Sequence, residues 1–132
     1  MIKKTTIFSL VIGALFFLFS CQNGSPCRQI TGTWSDRDGH NFVFQSNGKA
    51  LWLNKFGQLI DTVTCVFVLN CQAKPATLDF KDFDNGPFVG KTMYGILEWS
   101  GDSLFRYCYG LGTSPDYRPK QFDPALTMKF YR

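Results

Sequence analysis

From residue 30 onward, apolar side chains recur at every second position, and short clusters of Gly, Asn, Asp, Ser and Pro interrupt the alternation. A period of two puts successive side chains on opposite faces of a strand, so the pattern predicts β-strands with one buried face. Eight strands are predicted, at residues 30–35, 41–45, 49–55, 60–69, 76–83, 92–99, 103–109 and 126–131. No segment among them has a convincing helical period, which predicts an all-β fold.

Turn residues separate these strands. Asn47-Gly48 is the strongest hairpin signal, because both residues tolerate positive φ. Gly101-Asp102 suits a two-residue turn between the sixth and seventh strands. Gly95, inside the sixth strand, indicates a bulge or a barrel corner where another backbone comes close.

Sequential hairpins of this kind predict an eight-stranded antiparallel up-and-down barrel, because closure removes the exposed strand edges. A two-sheet β-sandwich is the alternative, since the pattern does not show whether the sheet closes. Residues 65–69 are apolar on both faces, which predicts a strand covered on both sides. Residues 111–124 are expected to form a long irregular loop.

The N-terminal segment has a different composition. Lys3 and Lys4 precede an apolar run over residues 7–19, which is too short for a transmembrane helix of about 20 residues. We expect residues 1–20 to be a signal peptide. Residues 21–28 form a lipidated N-terminus and polar linker, and residues 29–132 form one barrel domain.

The sequence Leu18-Phe19-Ser20-Cys21 resembles the lipobox of bacterial lipoproteins, with Phe19 bulkier than the usual occupant. The resemblance implies cleavage before Cys21, attachment of diacylglycerol to its sulfur, and acylation of the new amine, commonly by palmitate. Several acyl chains give a stable membrane anchor where a single chain binds only marginally. Gln22 gives no sign of retention at the inner membrane, so the expected location is the outer membrane, facing the periplasm.

Four further cysteines follow, Cys27, Cys65, Cys71 and Cys108. In an oxidising compartment they are candidates for disulfides, with three connectivities open, or for buried thiols. Cys65 and Cys71 would lie about 20 Å apart in an extended strand, beyond disulfide reach. No C-x-x-C occurs and His40 is the only histidine, so neither a metal site nor another cofactor is expected.

The second half of the chain contains G-K-T at residues 90–92, G-I-L-E-W-S-G-D-S-L at 95–104, Cys108, and R-P-K-Q-F at 118–122. Together with G-T-W at 32–34, this pattern is similar to a family of small lipocalin-like domains in exported bacterial proteins. Leu97, Trp99 and Gln121 depart from the family pattern. The resemblance implies an eight-stranded lipocalin-like barrel and no particular activity.

The sequence holds no evident catalytic group. His40 falls in a predicted turn and is expected to be solvated, and the Asp residues at 79, 82 and 84 fit the outer face of a sheet. Trp34, Trp52 and Trp99 are candidates for the barrel floor or mouth. Arg118 is a candidate for a capping or ligand contact, with hydrogen bonds to carbonyls or to an Asp expected.

Residues 21–132 carry a net charge near +2, too weak to indicate nucleic-acid binding. The favoured hypothesis is a non-catalytic, lipid-anchored module that binds a small apolar ligand or a protein. Because the chain is short, a barrel filled by its own side chains is expected over an open one. An immunity protein that neutralises a toxin at the cell envelope is the alternative, and an envelope hydrolase is disfavoured.

Overall fold

A computed structural model describes residues 29–56 and 58–132. Eight antiparallel strands follow one another around a closed barrel, each hydrogen-bonded to its neighbours in sequence order, as the alternation predicted. The strands are β1 (Gly32–Ser35), β2 (His40–Phe44), β3 (Lys49–Phe56), β4 (Leu59–Asn70), β5 (Ala76–Lys81), β6 (Met93–Trp99), β7 (Leu104–Tyr109) and β8 (Thr127–Tyr131). The only helical element of the described residues is one 3-10 turn, Pro115–Tyr117, in the last loop.

The up-and-down order gives the barrel two different ends. The connections at 36–39, 82–92 and 110–126 and the β3–β4 turn at Gln58 lie together at one end, which we call the open end. The turns at 45–48, 71–75 and 100–103 lie at the opposite, closed end, where the chain also leads into β1 from residues 29–31. The two long connections, 82–92 and 110–126, are therefore both on the side away from the point at which residues 29–31 enter the barrel.

Aromatic side chains fill the half of the barrel next to the closed end. Trp34 is completely buried, and its ring centroid lies 4.7 Å from that of Phe105 and 5.6 Å from that of Trp99. Its indole N–H donates to the carbonyl of Ile30 at 2.7 Å, so its buried nitrogen has a hydrogen-bond partner. We call this aromatic packing at the closed end the floor of the barrel. Large rings packed edge to face contribute apolar burial and quadrupole attraction together.

The seam between the first and last strands is narrow. In the described residues, Ser35 and Tyr131 form the one ladder pair that joins β1 to β8. Two arginines reinforce it. The Arg37 guanidinium lies 3.7 Å from the centroid of the Tyr131 ring, and Arg132 donates to the carbonyls of Thr31 (3.3 Å) and Asp102 (2.9 Å).

Two turn predictions have different outcomes. Gly48 has φ = 83°, as the Asn-Gly signal indicated, whereas Asn47 is not among the described non-glycine residues with positive φ. The predicted two-residue turn at Gly101-Asp102 is wrong, because Ser100 N–H bonds to the Leu104 carbonyl and leaves three residues in the turn. The Ser103 carbonyl accepts instead from the backbone N–H of Arg132, so contact with the C-terminus explains the longer turn.

The expected double-sided covering of residues 65–69 is also wrong. Val68 is 44% exposed on the outer face of β4, because none of the other described strands packs over that part of the wall. Apolar residues on both faces identified the strand correctly but not its surroundings.

Gly95 is neither a bulge nor a corner, contrary to the sequence prediction. It pairs regularly with Leu78 on β5 and Tyr109 on β7. A Cβ placed on Gly95 would lie 2.3 Å from the ring of Tyr107, which is fully buried. The glycine is therefore required by a close side-chain approach rather than by its own backbone conformation.

We expect Gly95→Ala to destabilise the barrel by about 2 kcal/mol or more, the usual cost of overpacking a filled core. The measurement is the free energy of unfolding in urea. In a Tyr107→Leu background the same substitution should cost clearly less, because the opposing ring is gone. An equal cost in both backgrounds would contradict this account.

Candidate functional site

The half of the barrel next to the open end contains a cavity of about 370 Å³. The expectation of a completely filled barrel is therefore wrong, since the aromatic packing stops short of the open end. The cavity is lined by His40, Phe42, Trp52, Phe80, Phe88, Met93, Tyr107, Tyr109, Gly110, Leu111, Gly112, Thr113, Met128 and Phe130. A volume of this size and a mainly aromatic wall are typical of small-molecule sites.

Strand alternation places these side chains. Phe42, Trp52 and Phe80 face inward from β2, β3 and β5, and Phe42 stacks on both of the other rings at centroid distances of 5.5 and 4.9 Å. Met93 and Met128 approach from β6 and β8. Methionine side chains are flexible and polarisable, so this wall can adapt to the shape of a bound molecule.

A second cavity of about 230 Å³ adjoins the first and shares His40, Trp52 and Phe88 with it. Its other lining residues are Asn54, Asp61, Val63, Asn85 and Pro87. Three of these side chains, Asn54, Asp61 and Asn85, are polar. The two cavities together have an apolar part inside the barrel and, beside the β3–β4 hairpin, a group of polar side chains that we call the polar part.

The polar part is organised by strand register. His40, Asn54 and Asp61 are consecutive partners across β2, β3 and β4, so they form a row at the open end. His40 Nδ1 lies 2.6 Å from Asn54 Oδ1. An amide oxygen can only accept, so Nδ1 carries the proton, and Nε2 of the neutral ring is then an acceptor. Asn54 is only 8% exposed.

Residues 110–126, which we call the strap, run from β7 to β8 and roof part of the larger cavity with Gly110 to Thr113. The strap folds back on itself tightly. A Cβ on Gly110 would lie 2.2 Å from the Tyr117 carbonyl oxygen, and one on Gly112 would lie 2.4 Å from the Tyr117 ring. Both glycines are needed for the strap to turn over the mouth.

Arg118 fastens the strap to the outside of the barrel. Its guanidinium donates to both carboxylate oxygens of Asp79, at 2.6 and 2.8 Å, and to the Gly95 carbonyl at 2.8 Å. The hydrogen bond to Asp79 raises the pKa of Arg118, which keeps it charged. Bidentate pairing of this kind is both directional and strong.

The four residues named from the sequence as mouth, floor or ligand contacts lie in three places. Trp34 and Trp99 are in the floor at the closed end, and Trp52 lines both cavities. Arg118 lies on the outer wall, bonded to an Asp and a carbonyl, and does not line either cavity.

The cysteines are in different states. Cys65 and Cys108 are buried free thiols, whereas Cys71 is disulfide-bonded. Burial, with a smaller contribution from Asp84, raises the pKa of the Cys65 thiol to about 12, so the thiol stays protonated and unreactive at neutral pH. Cys21 and Cys27 lie outside the described residues.

Sequence reasoning missed His40, whose assignment to a solvated turn is wrong. It is the first residue of β2, half-buried, and it lines both cavities. Its spacing from Phe42 and Phe44 was the available signal, since residues two apart share a face of a strand. The same spacing connects Asn54 to Trp52.

Among the described residues, no group of three or more His, Cys, Asp or Glu side chains is placed to hold a metal ion. None of the helical segments there has the length and apolar character to cross a membrane. Comparison with protein-family models, curated proteins and solved structures gives no match to this chain.

We expect the Arg118–Asp79 pair to be worth about 2 kcal/mol of unfolding free energy, measured by a double-mutant cycle with Arg118→Gln and Asp79→Asn. The side chains are only 26% and 16% exposed. The control cycle uses Arg106 and Glu98, a pair with 40% and 55% exposure, which should give under about 1 kcal/mol. Equal coupling in the two cycles would show that Arg118 does not fasten the strap.

Proposed function

We propose that this protein is a lipid-anchored envelope lipoprotein whose barrel binds a small apolar ligand without catalysing a reaction on it. The observation that carries the binding part is the cavity at the open end, with Phe42, Trp52, Phe80 and Phe130 in its wall. Burial of apolar ligand surface against such rings is favourable at about 25 cal/mol per Å². A concave aromatic site that is already formed also reduces the ordering cost of binding.

The anchoring part rests on the sequence. The lipobox-like Leu18-Phe19-Ser20-Cys21 follows a positively charged start and an apolar run, and the expected location is the outer membrane, facing the periplasm. Cys21 would carry the diacylglycerol, and residues 22–28 would link it to the barrel.

A protein partner, including a toxin neutralised at the envelope, is the second candidate. Four apolar side chains at the open end favour it, because they are largely exposed: Leu59 (76%), Ile60 (67%), Val89 (54%) and Leu111 (80%). Exposed apolar residues that cluster in this way are typical of interaction sites. The cavity gives the ligand hypothesis the stronger support, since a protein contact needs the rim but not the empty volume behind it.

Ligand binding is tested with the neutral fluorescent probe N-phenyl-1-naphthylamine and purified residues 21–132. We expect saturable binding with enhanced emission, and a decrease in affinity of at least about tenfold in Met93→Trp, because the larger ring occupies the cavity. Val68→Trp is the matched control, since it adds the same ring on the outer wall. Unchanged affinity in Met93→Trp would place the probe elsewhere and remove the support for a ligand barrel.

Anchoring is tested by Cys21→Ser in a bacterial host. We expect the variant to accumulate as uncleaved precursor or as unlipidated protein, because serine cannot form the thioether. The measurement is mass spectrometry of the N-terminal peptide, together with membrane fractionation. Membrane-bound protein of normal mature size from this variant would overturn the lipoprotein assignment.

A further inference from the structure

The two cavities differ from the rest of the protein in charge. The chain carries a formal net charge of +4, yet no lysine or arginine is among the described residues that line either cavity. We propose that the ligand is a neutral or cationic amphiphile, with its apolar body in the larger cavity and a hydrogen-bond-donating head at the row His40, Asn54 and Asp61. This inference rests on the proposed ligand-binding function and assigns the ligand class.

The apolar part of the site disfavours an anion. Its wall includes the rings of Phe42, Phe80 and Phe130, and aromatic side chains offer an anion no positive charge. A carboxylate or phosphate placed here would lose its hydration without gaining a positive partner. Burial of an unpaired charge is strongly unfavourable.

The polar part presents two acceptors, together with one buried donor, the Trp52 indole N–H, which has no hydrogen-bond partner among the described residues. With Nδ1 bonded to Asn54, the His40 ring in its neutral form offers Nε2 as an acceptor, and Asp61 adds a carboxylate. Asn54 and Asp61 are direct partners across β3 and β4, so the carboxylate stands next to the buried amide. An ammonium group has enough N–H donors for both acceptors and a hydroxyl can donate to one of them, whereas an anionic head can donate to neither.

Two cations near the open end are not placed to compensate an anion. The guanidinium of Arg37 is stacked on Tyr131 at 3.7 Å. Lys55 is exposed and follows inward-facing Asn54, so strand alternation puts it on the outer face. Neither residue lines either cavity.

The test compares three compounds with one apolar body, 2-naphthylmethanol, 2-naphthylmethylammonium and 2-naphthoate, by displacement of N-phenyl-1-naphthylamine at low salt. We expect the alcohol and the ammonium to bind, and 2-naphthoate to bind at least about tenfold more weakly than the alcohol. In Asp61→Asn, the affinity for the ammonium should fall about three- to five-fold while that for the alcohol is unchanged.

Glu98→Gln is the matched control, because it also removes one exposed carboxylate but lies on the outer wall beside Arg106. It should leave all three affinities as they were. Binding of 2-naphthoate as tight as that of the alcohol would overturn the assigned ligand class while leaving ligand binding itself intact. Failure of all three compounds and of the probe would overturn the ligand class and the proposed function together.

Discussion

The first and last strands of the described barrel meet through one ladder pair, Ser35 and Tyr131. Everything inside the barrel depends on that closure, because an open edge would expose backbone groups and admit water to the aromatic floor. Side chains supply what the short ladder lacks. The Arg37 guanidinium stacks on the Tyr131 ring. Arg132 donates hydrogen bonds to the carbonyls of Thr31 and Asp102, and its guanidinium lies 4.4 Å from the centroid of the Trp34 ring. Charged side chains thus stabilise the seam of a barrel whose interior is mainly aromatic.

The interior is filled at one end and hollow at the other. Trp34 and Phe105 fill the half next to the closed end, and Tyr107 packs against Gly95. Toward the open end, Met93, Met128 and the glycines of the strap join the aromatic rings of the wall, and a cavity remains between them. A barrel of this length can therefore have a dense floor and still hold a ligand. The aromatic floor stabilises the barrel, and the space between the floor and the open end forms the cavity.

Strand order and most strand positions could be predicted, because alternation and turn residues are local properties of the sequence. Closure was predicted from the need to remove exposed strand edges and not from the alternation. The details that failed depend on distant partners. The turn at Gly101 is lengthened by Arg132, and Gly95 is explained by a ring twelve residues away on the next strand. His40 was assigned wrongly because its nearest neighbours resemble a turn, while Asn54, its actual partner, is on another strand. The row of polar groups at the mouth could be recognised only once the register of three strands was known.

The chain joins β1 at the closed end, and the cavity opens at the other. On the proposed anchoring through Cys21, this polarity would direct the mouth away from the lipid leaflet that holds the protein. A ligand would then reach the cavity from the aqueous compartment and not directly from the adjacent bilayer. Such an orientation would favour ligands that are water-soluble or are delivered by a carrier protein.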